Sequence, residues 1–410
     1  MVSSSSTLDS PLEAPAGGES PGRVAPGRRA PWPLLVAGIL IGIVFLGPFA
    51  YVVSRNLDLG TDVWSILWSA DTWEPLRRSL WLGLTVSLAS AVVGTGLAWL
   101  TIRTDLPGRR VFRILAPLPL VIPSFVGATA LIAAFAKGGL VEEILAPIGI
   151  DDLPDMYGFR GAWLVLTLFT YPYVYLPVAA RIASLSPTLE ESARILGRGP
   201  WTVFRTVVLP QISGAIWAGA LLVFLYTISD WGAVNLLRYD TLTRDIYADR
   251  LFDQPRAMGL SLVLGLVALT LVVAERGLDR RRRRVEVVRT RRPLHVPLGP
   301  WKWVALVAVV VVLGNALIGP LAVFAFWAWR GIRADVDTVG LGIDPGELLT
   351  PAVHTAEAGL ITAVVAIAVV LPVAWLTARY RSRTGGAANS MVVAGFALPG
   401  VVIALSLVFW

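Results

Sequence analysis

The sequence predicts an all-α fold, a polytopic membrane helical bundle, and three observations carry that expectation. Of 410 residues, 55% are hydrophobic and 15% are charged, with a mean hydropathy of +0.68. A soluble domain carries about 25% charge, so this chain cannot cover a water-facing surface and a soluble enzyme is excluded. Nine runs of 18 or more residues lack Asp, Glu, Lys, Arg and His: 30–54, 79–102, 114–136, 161–180, 206–229, 257–274, 303–329, 358–378 and 384–410. About 20 apolar residues cross a bilayer as a helix. The third observation is an internal repeat.

Residues 1–29 are rich in Ser, Pro and Gly and have no apolar period; they read as a disordered cytoplasmic tail. No small-x-small cleavage site follows the run 30–54, so it reads as a span and not as a cleaved signal. In lipid the backbone must satisfy its own hydrogen bonds, which makes each run a helix. Runs such as 303–329 lack the alternating polarity of barrel strands. Six runs fall within 30–275, a first unit. A basic cytoplasmic linker, 276–302, leads to three more runs in 303–410. Gly38 and Gly42, four apart, suit close helix packing. Pro48, Pro117, Pro119, Pro123, Pro172, Pro320, Pro372 and Pro399 are placed to bend spans. Trp32, Trp64, Trp68 and Trp81 sit near run ends, as an aromatic belt requires.

Charge gives an orientation. With a cytoplasmic N-terminus and one crossing per run, the inner segments hold 24 of the 35 Lys and Arg but 9 of the 28 Asp and Glu, a net of +15 against −8 outside. Excess Lys and Arg stay on the cytoplasmic side. The run Arg280 to Arg284 then reads as an anchor on anionic membrane lipid, not as a nucleic-acid site.

Sliding the chain by 276 residues lays Ala98-Trp99-Leu100-Thr101 on Ala374-Trp375-Leu376-Thr377. Arg103 falls on Arg379, Gly83-Leu84 on Gly359-Leu360 and Pro123 on Pro399. Six crossings separate the copies, so they run parallel about an axis along the membrane normal. The second copy reaches Trp410 inside a membrane run, and the counterpart of Glu191 would fall at 467. The expectation is a second six-helix repeat truncated here, in a protein of twelve spans.

The cytoplasmic loop 186–210, SPTLEESARILGRGPWTVFRTVVLP, carries the most information. Ser186 can cap a helix that begins at Pro187. Glu190 and Glu191 suit its positive N-terminal end, and Glu190 can pair with Arg194 one turn on. Leu189, Ala193 and Leu196 share one apolar face. Gly197 and Gly199 stop the helix and Pro200 starts another. An apolar stripe on a cytoplasmic loop calls for a partner groove; the alternative is a helix lying on the membrane.

Glu191-Ser192-Ala193, Gly197 and Val207-x-Leu209-Pro210 resemble the "EAA" loop of ATP-binding-cassette (ABC) importer permeases. That pattern is Glu-Ala-Ala, three residues, Gly, nine residues, Ile-x-Leu-Pro. The spacing matches, with Ser192 for Ala and Val207 for Ile. The resemblance implies a type I importer permease fold (MetI-like), and a loop that docks into a cytoplasmic ABC ATPase dimer. Glu190, Glu191, Ser192, Ala193, Gly197, Leu209 and Pro210 would be its coupling residues.

The segment Asp230-Trp231-Gly232-Ala233-Val234-Asn235-Leu236-Leu237-Arg238-Tyr239 resembles fused two-copy iron(III) permeases. That implies delivery by an extracellular or periplasmic substrate-binding protein and a bacterial plasma (inner) membrane. Relatives for thiamine, polyamines or phosphonates look similar. An ion-coupled secondary transporter is the other class considered; it needs buried charges along its path, and this chain has few. Asp230, Asn235 and Glu357 are the candidates for the translocation path, with His354 also near a run end.

There is no Gly-x-x-x-x-Gly-Lys-[Ser/Thr], and Lys137 and Lys302 are the only lysines. ATP would therefore act through the partner subunit, with no cofactor bound directly and no catalytic residue here. With 0 Cys and 2 His, no metal site is expected.

Overall fold

The computed structural model describes residues 31–58, 62–150, 152–185, 188–282, 296–333, 345–380, 387, 391 and 400–409. The tail 1–29 and residues 283–295 of the linker 276–302 lie outside the described residues, as do Ser186, Pro187 and most of the ninth run. Among the described residues the chain is helical and contains no strand; one isolated bridge joins Thr104 to Val296.

The principal helices are α1 Trp32–Asp58, α2 Ala70–Arg103, α3 Ser124–Phe135, α4 Phe159–Thr170 and α5 Pro172–Ala183. They continue with α6 Thr188–Ile195, α7 Leu209–Ser229, α8 Leu242–Asp249 and α9 Gln254–Arg282. Beyond the linker come α10 Trp301–Leu313, α11 Gly319–Arg333, α12 Pro345–Trp375 and α13 Gly400–Phe409. Among the described residues, seven helical stretches are long and apolar enough to cross a membrane.

The third run departs from the expected single helix. Arg109–Val121 and Ser124–Phe135 meet at 96°. Ile122 is extended at φ −87°, ψ 117°, as the residue before a proline must be, and Pro123 follows it. Prolines also explain two π-helical turns. The turn Phe204–Val208 lets the Leu209 N–H bond Phe204 O just before Pro210. The turn Gly314–Ile318 does the same for Gly319 and Gly314 O before Pro320. A proline has no N–H and its ring crowds the carbonyl four residues back, so the ladder slips by one residue.

Helices α2, α4, α5 and α7 pack on one another to form the main core. Glycine makes their approach close. A Cβ at Gly94 would stand 2.8 Å from Tyr171 O and 2.9 Å from Tyr175 N, and one at Gly219 2.6 Å from Val174 Cα. Thr101 bonds the Tyr175 hydroxyl at 3.2 Å across the α2–α5 seam. Trp32, Trp64, Trp68 and Trp81 are exposed.

The first helix on each side of the linker packs away from its neighbours in sequence. Helix α1 contacts α9, α12 and α13; Asn56 Nδ2 donates to Met258 O at 3.0 Å and Ser406 Oγ to Pro48 O at 3.2 Å. Gly38 and Gly42 are buried on α1, and a Cβ at Gly42 would stand 2.7 Å from Met391 Sδ. In the other direction Val309, Leu313 and Ala316 join the main core. Helix α11 packs on α3, where Trp327 Nε1 donates to Ala133 O at 3.1 Å.

Candidate functional site

The loop helix α6 is built as the sequence suggests at its C-terminus. Gly197 has φ +76°, a conformation in which a Cβ costs about 1–2 kcal/mol. Its N–H bonds Arg194 O at 2.9 Å, and the Arg198 N–H bonds Ala193 O at 3.2 Å. This is the double closure of a glycine-terminated helix. No atom lies within 4 Å of a Cβ built at Gly197, so backbone conformation alone demands glycine there.

Two expectations for α6 need correction. Glu190 does not pair with Arg194; it forms an ion pair with Arg103 at the end of α2. Both groups are buried, their side chains 2% and 0% exposed. Arg103 Nε and Nη1 have no hydrogen-bond partner, and the guanidinium lies 5.6 Å from the Trp99 ring centroid. A buried charge holds its counter-ion firmly; removing one partner costs about 3–5 kcal/mol. Tertiary burial therefore overrides an exposed i, i+4 pair of about 0.3–0.5 kcal/mol.

The apolar face is also divided. Ala193 turns inward with Glu190 and is buried, whereas Leu189 and Leu196 are exposed together with Ile195 and Trp201. Glu191 and Ser192 are exposed as well. One side of α6 is thus anchored, and the other presents aliphatic groups beside a carboxylate. Downstream, Leu209 and Pro210 open α7 directly after the π-helical turn.

Sequence reasoning overlooked Arg103 as a member of this site. Its main chain is engaged as well: Arg103 O accepts from the Val296 N–H at 2.7 Å, and Asp105 Oδ1 from the Leu298 N–H at 2.8 Å. The available signal was a lone cation directly after an apolar run, repeated at Arg379. Nearby, Phe204 meets Trp99 edge-on at 4.8 Å and stacks on Trp201 at 5.5 Å between ring centroids, around an apolar cavity of about 680 Å³.

At the opposite ends of α2 and α7 lies the second candidate group. Asp230 is buried; its carboxylate accepts from Ser124 Oγ and, at 2.9 Å, from the Ala233 N–H. Its carbonyl accepts from Thr243 Oγ1 at 2.8 Å. Asn235 is half-buried one turn on, and Glu357 is exposed on α12, as is His354. The structure brings Asp230 and Asn235 into one turn, and places Glu357 on a separate helix.

Residues 90–284 match the family described as binding-protein-dependent transport system inner membrane component. The chain is 29% identical over 390 residues to the Fe(3+)-transport system permease protein FbpB 2 of Haemophilus influenzae, covering 93% of this chain and 72% of that protein. It is 26% identical over 242 residues to the sulfate transport system permease protein CysT of Escherichia coli, covering 57% and 86%. It is 29% identical over 246 residues to the molybdenum transport system permease protein ModB of Mycobacterium bovis, covering 57% and 89%. The family match over residues 90–284, the similarity along nearly its whole length and the helices long and apolar enough to cross a membrane together support a multi-pass inner-membrane permease subunit of the ABC importer type.

Proposed function

We propose that this permease subunit moves iron(III) inward, driven by a cytoplasmic ABC ATPase dimer that docks on α6. The observation that carries the coupling role is the two-sided loop helix. Its inner side is fixed by the buried Glu190–Arg103 pair, while Leu189, Glu191, Ile195 and Leu196 are exposed around the rest of the helix and its end. An amphipathic helix of this kind lays its apolar face into a partner groove. Gly197, Leu209 and Pro210 set where the helix stops and where the next span begins. ATP binds the partner and not this chain; docking energy shifts the permease between states only where it differs between them.

Iron(III) is favoured because the iron relative is similar along 93% of this chain, against 57% for the sulfate and molybdenum relatives. An external substrate-binding protein would deliver the cargo to the outer ends of α2 and α7, with Asp230 and Asn235 on the path and Glu357 joining it from α12. The N-terminus is cytoplasmic in this proposal. The two units run parallel, 30–275 and 303–410 with 276–302 between. Moved on by 276 residues, α2 would occupy 346–379; α12 and its π-helical end occupy 345–380, which supports the duplication.

The test is reconstitution in liposomes with the ATPase and binding protein, comparing radiolabelled ferric iron, sulfate and molybdate. ATP-dependent ferric uptake is expected. Uptake of an oxyanion instead would replace the substrate, and uptake indifferent to ATP would remove the coupling role.

A further inference from the structure

We infer that Arg103 is the positioning residue through which a displacement of α6 reaches the opposite face of the membrane, with α2 as the rigid connection. The inference rests on the proposed docking of an ATPase at α6.

Glu190 to Arg103 is, among the described residues, the one ion pair that ties α6 to another span. Its guanidinium is fully buried, and Nε and Nη1 have no other acceptor. A carboxylate leaving this site would strand an uncompensated charge away from water, so Arg103 follows Glu190 when the loop moves. Arg103 ends an uninterrupted helix of 34 residues. From Arg103 back to Arg78 that helix spans about 37 Å at 1.5 Å per residue.

At the far end α2 grips the segment after Asp230. Arg78 Nη1 bonds Asp240 Oδ2 at 3.0 Å, and Ser79 Oγ accepts from the Leu242 N–H at 2.9 Å. Asp230 O is itself held by Thr243 Oγ1 at 2.8 Å. A shift of α2 along or about its axis therefore moves the turn that carries Asp230 and Asn235. On the loop side, the Val296 N–H on Arg103 O gives the entry to α10 the same anchor. One arginine thus joins the loop, the long helix and the start of the second unit.

The chain has 0 Cys, so labels can be placed cleanly. Spin labels at Trp73→Cys and Leu349→Cys, both exposed in the first turns of α2 and α12, read the distance between the two units on the face away from α6. The full chain with its ATPase subunit is compared with and without ATP and vanadate. In the otherwise unaltered chain the distance shifts. In Arg103→Met with Glu190→Leu, apolar groups of similar bulk replace the pair, a change that buried sites tolerate. The expected result is an inserted chain that still copurifies with the ATPase but has lost the shift. The exchanged pair, Arg103→Glu with Glu190→Arg, restores it.

A purely structural pair would give the opposite result: an inserted apolar variant with the full shift overturns the inference. If the apolar variant fails to insert, the exchanged pair decides, and its inserting without a shift overturns it equally. Failure of the docking proposal is seen separately. Glu191→Lys and Gly197→Asp should release the ATPase subunit, and its retention by both removes α6 as the docking site whatever Arg103 does.

Discussion

Ser124 and Asp230, 106 residues apart, are joined by a hydrogen bond from the serine hydroxyl to the buried carboxylate. Ser124 is the first residue of α3, directly after the 96° bend, and Asp230 ends α7. The bend and the turn that follows α7 are therefore held by the same bond. Asp230→Ala removes the acceptor for both Ser124 and the Ala233 N–H and should destabilise the detergent-solubilised protein by about 1–3 kcal/mol. Asp230→Asn keeps one acceptor oxygen and should lose less. Equal thermal unfolding of the alanine variant and the parent would mean that this bond does not hold the turn.

Two glycines on α2 should behave oppositely. A Cβ at Gly94 would collide with backbone atoms of α5 at 2.8 and 2.9 Å, whereas one at Gly96 meets nothing within 4 Å. Gly94→Val should separate α2 from α5 and lower expression of folded protein sharply, since overpacking costs about 1–3 kcal/mol or more. Gly96→Ala should be neutral or slightly stabilising by helix propensity, about 0.5–1 kcal/mol. Size-exclusion profiles of the two variants check the contrast.

At Gly197 the demand is conformational. Gly197→Ala should cost about 1–2 kcal/mol of local stability, seen as faster proteolysis of the loop with the spans intact. Gly197→Asp and Glu191→Lys should abolish ATP-driven uptake while the chain still inserts. Normal transport by both would count against the coupling role.

The packing of α1 on the part of the chain beyond the linker can be read by a crosslink. A Cβ at Gly42 would lie 3.2 Å from Met391 Cβ, close to the separation of about 3.5–4.5 Å found in disulfides. Gly42→Cys with Met391→Cys should oxidise to one intramolecular disulfide, detected by peptide mapping. Its absence under oxidant would place α1 elsewhere.

Much of the fold was legible in the sequence because apolar length and charge placement act locally. Eight of the nine uncharged runs fall on described helices, and Gly197 announced the end of α6 through a backbone requirement that no neighbour supplies. The sharp break at Pro123 was legible as a proline but not as an angle. The same holds for Pro210 and Pro320, whose missing N–H groups are accommodated by π-helical turns.

By itself the sequence determined that the chain lives in a membrane as helices, where the loop helix lies and which spacing it carries, since these follow from hydrophobicity and local backbone chemistry. Only the tertiary structure decided that Glu190 answers to Arg103 instead of Arg194, that Ala193 faces inward while Leu189 and Leu196 face out, and that α1 packs on helices from beyond the linker. Each of these depends on which surfaces are removed from water or lipid by residues far away in the chain. A buried charge takes whichever counter-ion the fold brings to it, and no pattern within one helix records that partner.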